Sequence, residues 1–256
     1  MERSIDLNCD LGESFGAWSM GDDEGIMPYI SSANIACGFH AGDPGTIHKT
    51  VMRCLRHGVA VGAHPSYPDL AGFGRRRMDL DPNEVYDAVL YQLGAVAAFA
   101  KASGTFLRHV KPHGALYNHA AKDSLTAQAV LNAVKYFDAQ LLFFGPPDSE
   151  LEKAAHDYGI VFCAEAFADR GYQSDGSLTP RSRKGAMLPD VDSCVRQVMD
   201  MVERGSVNAV DGGRVSVRSD TVCIHGDGPM AVAIAKALHE ALSAKGFFIR
   251  CPTGRS

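Results

Sequence analysis

The chain lacks the marks of several large protein classes. No apolar run approaches the roughly 18 residues a membrane-spanning helix needs. Positive charge is not in excess: 25 Lys and Arg face 30 Asp and Glu, for a formal net charge of −5. That removes the electrostatic case for nucleic acid or an anionic membrane as partner. The seven cysteines include no C-x-x-C pair. An odd, dispersed set in a chain of 256 residues reads as reduced and cytoplasmic, not as a disulfide framework. The first ten residues are acidic and polar, which argues against a secretory signal. No G-x-G-x-x-G follows an early strand, and there is neither a G-x-x-x-x-G-K-[ST] phosphate loop nor an H-E-x-x-H metal pair. No linker, low-complexity segment or close repeat interrupts the chain, so one domain over 1–256 is expected.

What is present is a repeating design. The length and a 46% hydrophobic fraction supply material for a large core. The organising stretch is residues 5–16. Ile5, Leu7 and Cys9 alternate with Asp6, Asn8 and Asp10, the period of a strand, and the run breaks at Gly12 into a loop carrying Glu13 and Ser14. Six later runs repeat this pattern of strand and polar cluster: 32–37, 59–63, 106–110, 141–144, 160–164 and 221–224. Between them the spacing predicts helices. Asp43 and Pro44 open one, with Ile47, Val51 and Leu55 inward and Gly58 as its stop. Asp81-Pro82-Asn83-Glu84 opens the strongest, striped by Val85, Val89, Leu93, Val96 and Ala100. Others are expected around 129–134, after Asp148, over 190–204 and over 229–245. Residues 171–188 show no period and read as a long functional loop. A short extended piece is expected at 247–250.

Strands alternating with helices imply an α/β fold with a parallel sheet. Seven such units favour a seven-stranded β/α barrel, with an open doubly wound sheet as the alternative. Ligands bind at the C-terminal ends of strands in both architectures. Asp10, Glu13, His40, His64, Lys111, His113, Glu165, Asp169, Arg170, His225 and Asp227 all fall just past predicted strands, so a closed barrel gathers them at one mouth. Hydrolysis needs a base for water, a donor for the oxyanion and an acid for the leaving group, which this set can supply.

Each residue also has a bland reading. Asp10 serves equally as a cap, His40 as packing and Lys111 as a solvated charge. The segment 225–229 is either a turn before a helix or an anion site at a helix N-terminus. Arg75, Arg76 and Arg77 read as a solvated loop ahead of an anion site. His48, His57, His119, His156 and His239 fall on helices as surface or packing residues. Cys9, Cys37, Cys54, Cys163 and Cys223 read as packing. A divalent metal on Asp10, His40 and His64 stays open, without a close-spaced ligand pair to support it.

The clusters sit in longer motifs. These are residues 6–16 (Asp-Leu-Asn-Cys-Asp-Leu-Gly-Glu-Ser-Phe-Gly), 34–44 (Asn-Ile-Ala-Cys-Gly-Phe-His-Ala-Gly-Asp-Pro), 62–69 (Gly-Ala-His-Pro-Ser-Tyr-Pro-Asp) and 110–118 (Val-Lys-Pro-His-Gly-Ala-Leu-Tyr-Asn), then 165–172, 175–178 and 225–227. In order and over nearly the whole chain they resemble the LamB/YcsF family, with no departure at a charged position. The resemblance implies the seven-stranded β/α barrel of the glycoside hydrolase/deacetylase class. It also implies a hydrolase acting on a cyclic amide: a 5-oxoprolinase that opens 5-oxo-L-proline (pyroglutamate) to L-glutamate with ATP, together with PxpB and PxpC subunits. The complex consumes ATP; whether this chain is itself ATP-binding (nucleotide-binding) is left open. On this reading the catalytic set is Asp10, Glu13, His40, His64, Lys111 and His113. The substrate-binding set is Asn8, Glu165, Asp169, Arg170, His225 and Asp227. Asp10 or Glu13 would orient or deprotonate water, while Lys111 and His113 meet the oxyanion or phosphate. His40 and His64 would serve acid–base or metal roles. Arg170 would grip the substrate carboxylate bidentately, and 171–188 would close as a lid. Two other readings stand beside this one: a metal-dependent carbohydrate amide deacetylase, and a non-catalytic lactam-binding protein.

Overall fold

A computed structural model describes residues 3–253; the outermost residues of the expected 1–256 domain lie outside the described residues. The strands are β1 (Ser4–Leu11), β2 (Ser32–Ala36), β3 (Ala60–His64), β4 (Leu107–Val110), β5 (Leu142–Gly145), β6 (Phe162–Phe167), β7 (Ser206–Asn208), β8 (Arg214–Ser216), β9 (Thr221–Ile224) and β10 (Phe248–Ile249). β1 to β6 and β9 pair in parallel in that order, and β1 pairs with both β2 and β9. The sheet therefore closes on itself, and the open-sheet alternative is excluded. β7 and β8 form an antiparallel hairpin outside the barrel, and β10 pairs with the start of β1.

The helices are α1 (Asp23–Ile26), α2 (Pro44–His57), α3 (Pro82–Ala102), α4 (Gly114–Ala120), α5 (Ser124–Asp138), α6 (Glu150–Tyr158), α7 (Val191–Arg204) and α8 (Ala231–Ala244). α2 begins as its sequence predicts: the Asp43 carboxylate accepts from the Thr46 N–H, and Gly58 closes the helix in the left-handed region. α3 carries a full capping box from Asp81 and Glu84, and its stripe of Val85, Val89, Leu93, Val96 and Ala100 is buried. Truncating Leu93 to Ala there would cost about 2–5 kcal/mol. α1, α4 and the β7–β8 hairpin carry no readable period because each is too short to show one. α8 starts only at Ala231, after a turn over 225–230, so the segment 225–229 is not itself a helix N-terminus.

β1 ends at Leu11, where the break at Gly12 is expected; β3 and β5 run one residue past their expected ends, and β6 is shifted onto Phe162–Phe167 from the expected 160–164. Asp10, His64 and Glu165 thus lie within strands, not past them. Sequence reasoning ends a strand at a buried charge; here a partner across the barrel makes the charge tolerable.

Along β1 the apolar residues Ile5, Leu7, Cys9 and Leu11 join the layer under the helices. Asp6, Asn8 and Asp10 face the barrel interior. Hydroxyls of Ser32 and Thr221 donate to Asp6 at 2.7 and 2.5 Å. Asn34 Nδ2 donates to Asn8 Oδ1 and Asp10 Oδ1 at 2.7 and 2.8 Å. His109 Nε2–H donates to Asn34 Oδ1 at 2.8 Å. That bond runs from β4 to β2 across β3, and it needs Gly62, where any side chain would strike the His109 ring. Burial pushes the Asp6 carboxyl up to about 6.

Candidate active site

A cavity of about 530 Å3 opens at the C-terminal ends of the strands, lined by Asp10, Glu13, His64, Lys111, His113 and His225 among others. Lys111 sits at its floor. Pro112 behind it favours extended backbone at the end of β4. Its Nζ lies 2.8 Å from Asp10 Oδ1, 3.3 Å from Asn8 Oδ1 and 3.0 Å from Cys223 Sγ. It also lies 2.8 Å from Glu165 Oε1, off the direction of a good hydrogen bond. Tyr117 donates to the other oxygen of Glu165 at 2.8 Å. Burial alone would push the Lys111 ammonium down, but the Asp10 and Glu165 carboxylates outweigh it and hold it well above its usual range. Burial likewise opposes ionisation of Asp10, yet His64 and Lys111 hold its carboxyl well below the usual range.

Two histidines, His64 and His113, form the neighbouring wall, and His40 stacks against His113 behind it. His64 Nδ1–H donates to the Lys111 carbonyl at 2.7 Å, and His113 Nε2–H donates to the Phe73 carbonyl at 2.9 Å. Carbonyl oxygens only accept, so these contacts fix where each ring carries its proton. His40 Nδ1 lies 3.0 Å from Ser66 Oγ, whose own hydrogen goes to the Tyr67 carbonyl at 2.8 Å. The hydroxyl therefore accepts from His40. The remaining ring nitrogens face one another and Glu13. His64 Nε2 is 3.0 Å from His113 Nδ1, while His40 Nε2 and His113 Nδ1 are 3.6 and 3.8 Å from Glu13 Oε1. Burial pushes His113 down to about 3 and His40 well below its usual range, so both rings are neutral. Burial, then the nearby Asp10 charge, pushes the Glu13 carboxyl well up. The environment thus drives Asp10 and Glu13 apart, one toward the ionised form and one toward the protonated form.

Several expected contacts are corrected. Asn8 is fully buried beneath Lys111 and donates to Thr221 Oγ1; it is absent from the cavity lining and supports the floor from below. Glu165 is likewise below the surface, as the partner of Lys111. Arg170 lines the cavity, yet part of its fork is committed to the chain itself. Its Nε and Nη2 donate to the carbonyls of Ala186 and Thr179 at 3.0 and 2.7 Å, tying residues 171–188 to the barrel. Asp169 accepts from His225 Nδ1 at 2.8 Å and so orients that ring instead of reaching the cavity. Burial works against its ionisation, but His225 holds its carboxyl low. Asp227 lines the cavity and pairs with Arg75 at 2.9 Å. Of the metal set Asp10, His40 and His64, Asp10 is engaged by Lys111 and Asn34; Glu13 and His113 join the two histidines in its place.

Sequence reasoning misses Asn34, Arg75, Tyr117 and Arg181. Asn34 and Tyr117 lie inside the motifs at 34–44 and 110–118, which is the signal available for them. Arg75 and Arg181 are exposed cations lining the cavity, and nothing in their loops separates them from solvated charge.

Fold and site together define a parallel β/α-barrel protein with a lysine, carboxylates and histidines gathered at the mouth of its strands. The chain belongs to the LamB/YcsF family, whose sequence profile matches residues 5–255. It is 53% identical over 250 residues to the A-type subunit of 5-oxoprolinase from Bordetella parapertussis, covering 98% of this chain and 99% of that one. The crystal structure of a lactam utilization protein from Thermus thermophilus is 50% identical and superposes with a TM-score of 0.92, covering 96% of this chain and 99% of that one. The catalytic domain of a peptidoglycan N-acetylglucosamine deacetylase from Eubacterium rectale is 13% identical with a TM-score of 0.52, covering 100% of this chain and 91% of that one, a likeness of fold alone.

Proposed function

We propose that this chain is the ring-opening subunit of an ATP-consuming 5-oxoprolinase, cleaving 5-oxo-L-proline to L-glutamate together with PxpB and PxpC. The observation that carries the reading is 53% identity over 98% of the chain to a protein named as the A-type subunit of 5-oxoprolinase. The pocket chemistry agrees with it. A five-membered lactam is an unactivated amide, and phosphorylation of its oxygen by ATP elsewhere in the complex supplies the activation. Water then adds to the ring carbon that bears the phosphorylated oxygen. The C–N bond breaks as the nitrogen takes up a proton and leaves as the amine, giving an acyl phosphate. A second water releases phosphate and the new carboxylate.

Lys111 faces the oxyanion and the phosphoryl group. Asp10, ionised and far below neutral pH in its titration, is a weak base; it orients Lys111 and the attacking water. Glu13, His64 and His113 line the pocket beside it and hold that water and the leaving nitrogen in place. Arg75 and Arg181 receive the substrate carboxylate or the phosphoryl group. His225, oriented by Asp169, and Asp227 complete the substrate side. The seven free cysteines suit a reducing, cytoplasmic setting, and among the described residues no helix is long and apolar enough to cross a membrane.

The test is an omission assay. Purified chain, PxpB, PxpC, 5-oxoproline and ATP are combined, each component is left out in turn, and glutamate and ADP are measured. Glutamate should appear only when all are present. Glutamate without this chain, or ATP-independent acetate release from an acetylated sugar by this chain alone, would contradict the reading.

A further inference from the structure

With both rings neutral, two nitrogens of His64 and His113 meet with no proton between them, and His64 Nε2 also stands 3.4 Å from Asp10 Oδ2. The carbonyls of Lys111 and Phe73 fix the ring protons on the far nitrogens, so His64 Nε2 and His113 Nδ1 each bring a lone pair when the rings are neutral. They stand 3.0 Å apart. Two acceptors at that distance repel unless positive charge lies against both. Beside them, His40 Nε2 is buried with no hydrogen-bond partner among the described residues, and its ring is fully shielded from solvent. The Glu13 carboxylate closes the group, and one ligand atom from each of the four residues lies within 4.8 Å of the others.

We propose that His64 Nε2, His113 Nδ1 and the Glu13 carboxylate hold a divalent transition-metal ion of the zinc type, with the His40 Nε2 lone pair beside it as acceptor for a metal-bound water. Zinc–nitrogen bonds of about 2.0–2.1 Å at the tetrahedral angle put two nitrogens about 3.3–3.4 Å apart, within a few tenths of an ångström of the 3.0 Å found here. The His64 and His113 rings are almost perpendicular, at 85°. The His40 ring lies parallel to that of His113, 3.8 Å away, so the two lone pairs cannot aim at one point. That places His40 outside the coordination shell. Each ligating imidazole donates its other N–H to a backbone carbonyl, the outer-shell arrangement that orients histidines at metal sites. Two nitrogens and one carboxylate with open positions suit zinc, cobalt or iron better than calcium or magnesium. A bound cation would also draw Glu13 into its ionised form, against the burial that pushes its carboxyl up. The ion would lie in the pocket of the proposed hydrolase, and only its catalytic use rests on that reading; its presence is measured without turnover.

The experiment reconstitutes the full chain with zinc, removes excess ion by gel filtration and measures metal by mass spectrometry, with cobalt substitution read by its visible ligand-field spectrum. The expected result is one ion per chain, lost in His64→Ala and His113→Asn and bound at least about tenfold more weakly in Glu13→Gln, with circular dichroism reporting that each variant is folded. His40→Gln should keep the ion and change the cobalt spectrum; loss of the ion there would overturn the place given to His40. A wild-type chain that holds far less than one zinc, or full occupancy in both His64→Ala and His113→Asn, overturns the proposal. An ion-loaded chain whose complete complex makes no glutamate would instead defeat the 5-oxoprolinase reading and leave the metal site standing.

Discussion

The cavity has two walls built on different physics. In one, Glu13, His64 and His113 line the cavity with His40 stacked on His113; all four are buried, and each ring is oriented by a backbone carbonyl or a hydroxyl. In the other, Leu178, Pro180 and Arg181 come from a segment without regular structure, residues 171–188. That segment is fastened by the buried Arg170 guanidinium and a few backbone bridges. Groups that move protons must be held to a fraction of an ångström, which a barrel rim does well. Groups that grip a carboxylate or phosphate tolerate slack. The difference teaches that, on the proposed function, chemistry belongs to the barrel and affinity to the strap.

Substitutions can break or sharpen this division. The largest effect is expected at the floor both walls share. Lys111→Met should lower glutamate formation in the reconstituted complex by about 10²–10³-fold. It should also destabilise the chain by about 3–5 kcal/mol, because Asp10 and Glu165 are left buried without their partner. Single-turnover rates and urea unfolding check both. On the rigid wall, His113→Asn should cost about 10²–10⁴-fold in kcat with little change in KM. On the strap, Arg170→Lys keeps the charge but cannot donate to both carbonyls from a fixed fork. KM should rise about tenfold, kcat should change less, and residues 171–188 should become sensitive to protease. A fall in kcat alone would move the strap into the chemistry. Arg181→Ala, an exposed charge, should raise KM only about two- to fivefold.

The smallest effect is one of stability and lies beneath both walls. The Asp6 carboxyl titrates at about 6 in the folded chain, above its ordinary 3.8. Its stabilising contribution is therefore complete below the unfolded value and is lost as pH rises through about 6. Asp6→Asn removes that dependence. The fall in unfolding free energy between about pH 5 and pH 8 should shrink by about 1 kcal/mol, measured by urea titration at the two pH values.

The two walls also differ in how legible they are. The seven strands, the capped α2 and α3, and the histidine motifs on the strand ends can be read from period and capping chemistry. The end of β6 cannot, because Glu165 looks like a loop residue until Lys111 is found across the barrel. The pairing of Glu13 with His113 depends on loops meeting in space. Arg170 reads as a substrate clamp because a guanidinium after a strand has no sequence mark separating a ligand's carboxylate from the chain's own carbonyls. Asn8 reads as a site residue although it lies one layer too deep: alternation places it on the inner face and says nothing about depth.

The ionised pair of Asp10 and Lys111 at the cavity floor carries the proposed chemistry. Single-turnover glutamate release by Asp10→Asn in the reconstituted complex tests it directly. The predicted result is loss of release from a chain whose far-ultraviolet circular dichroism matches the parent. Release at the parent rate would contradict that role for the pair.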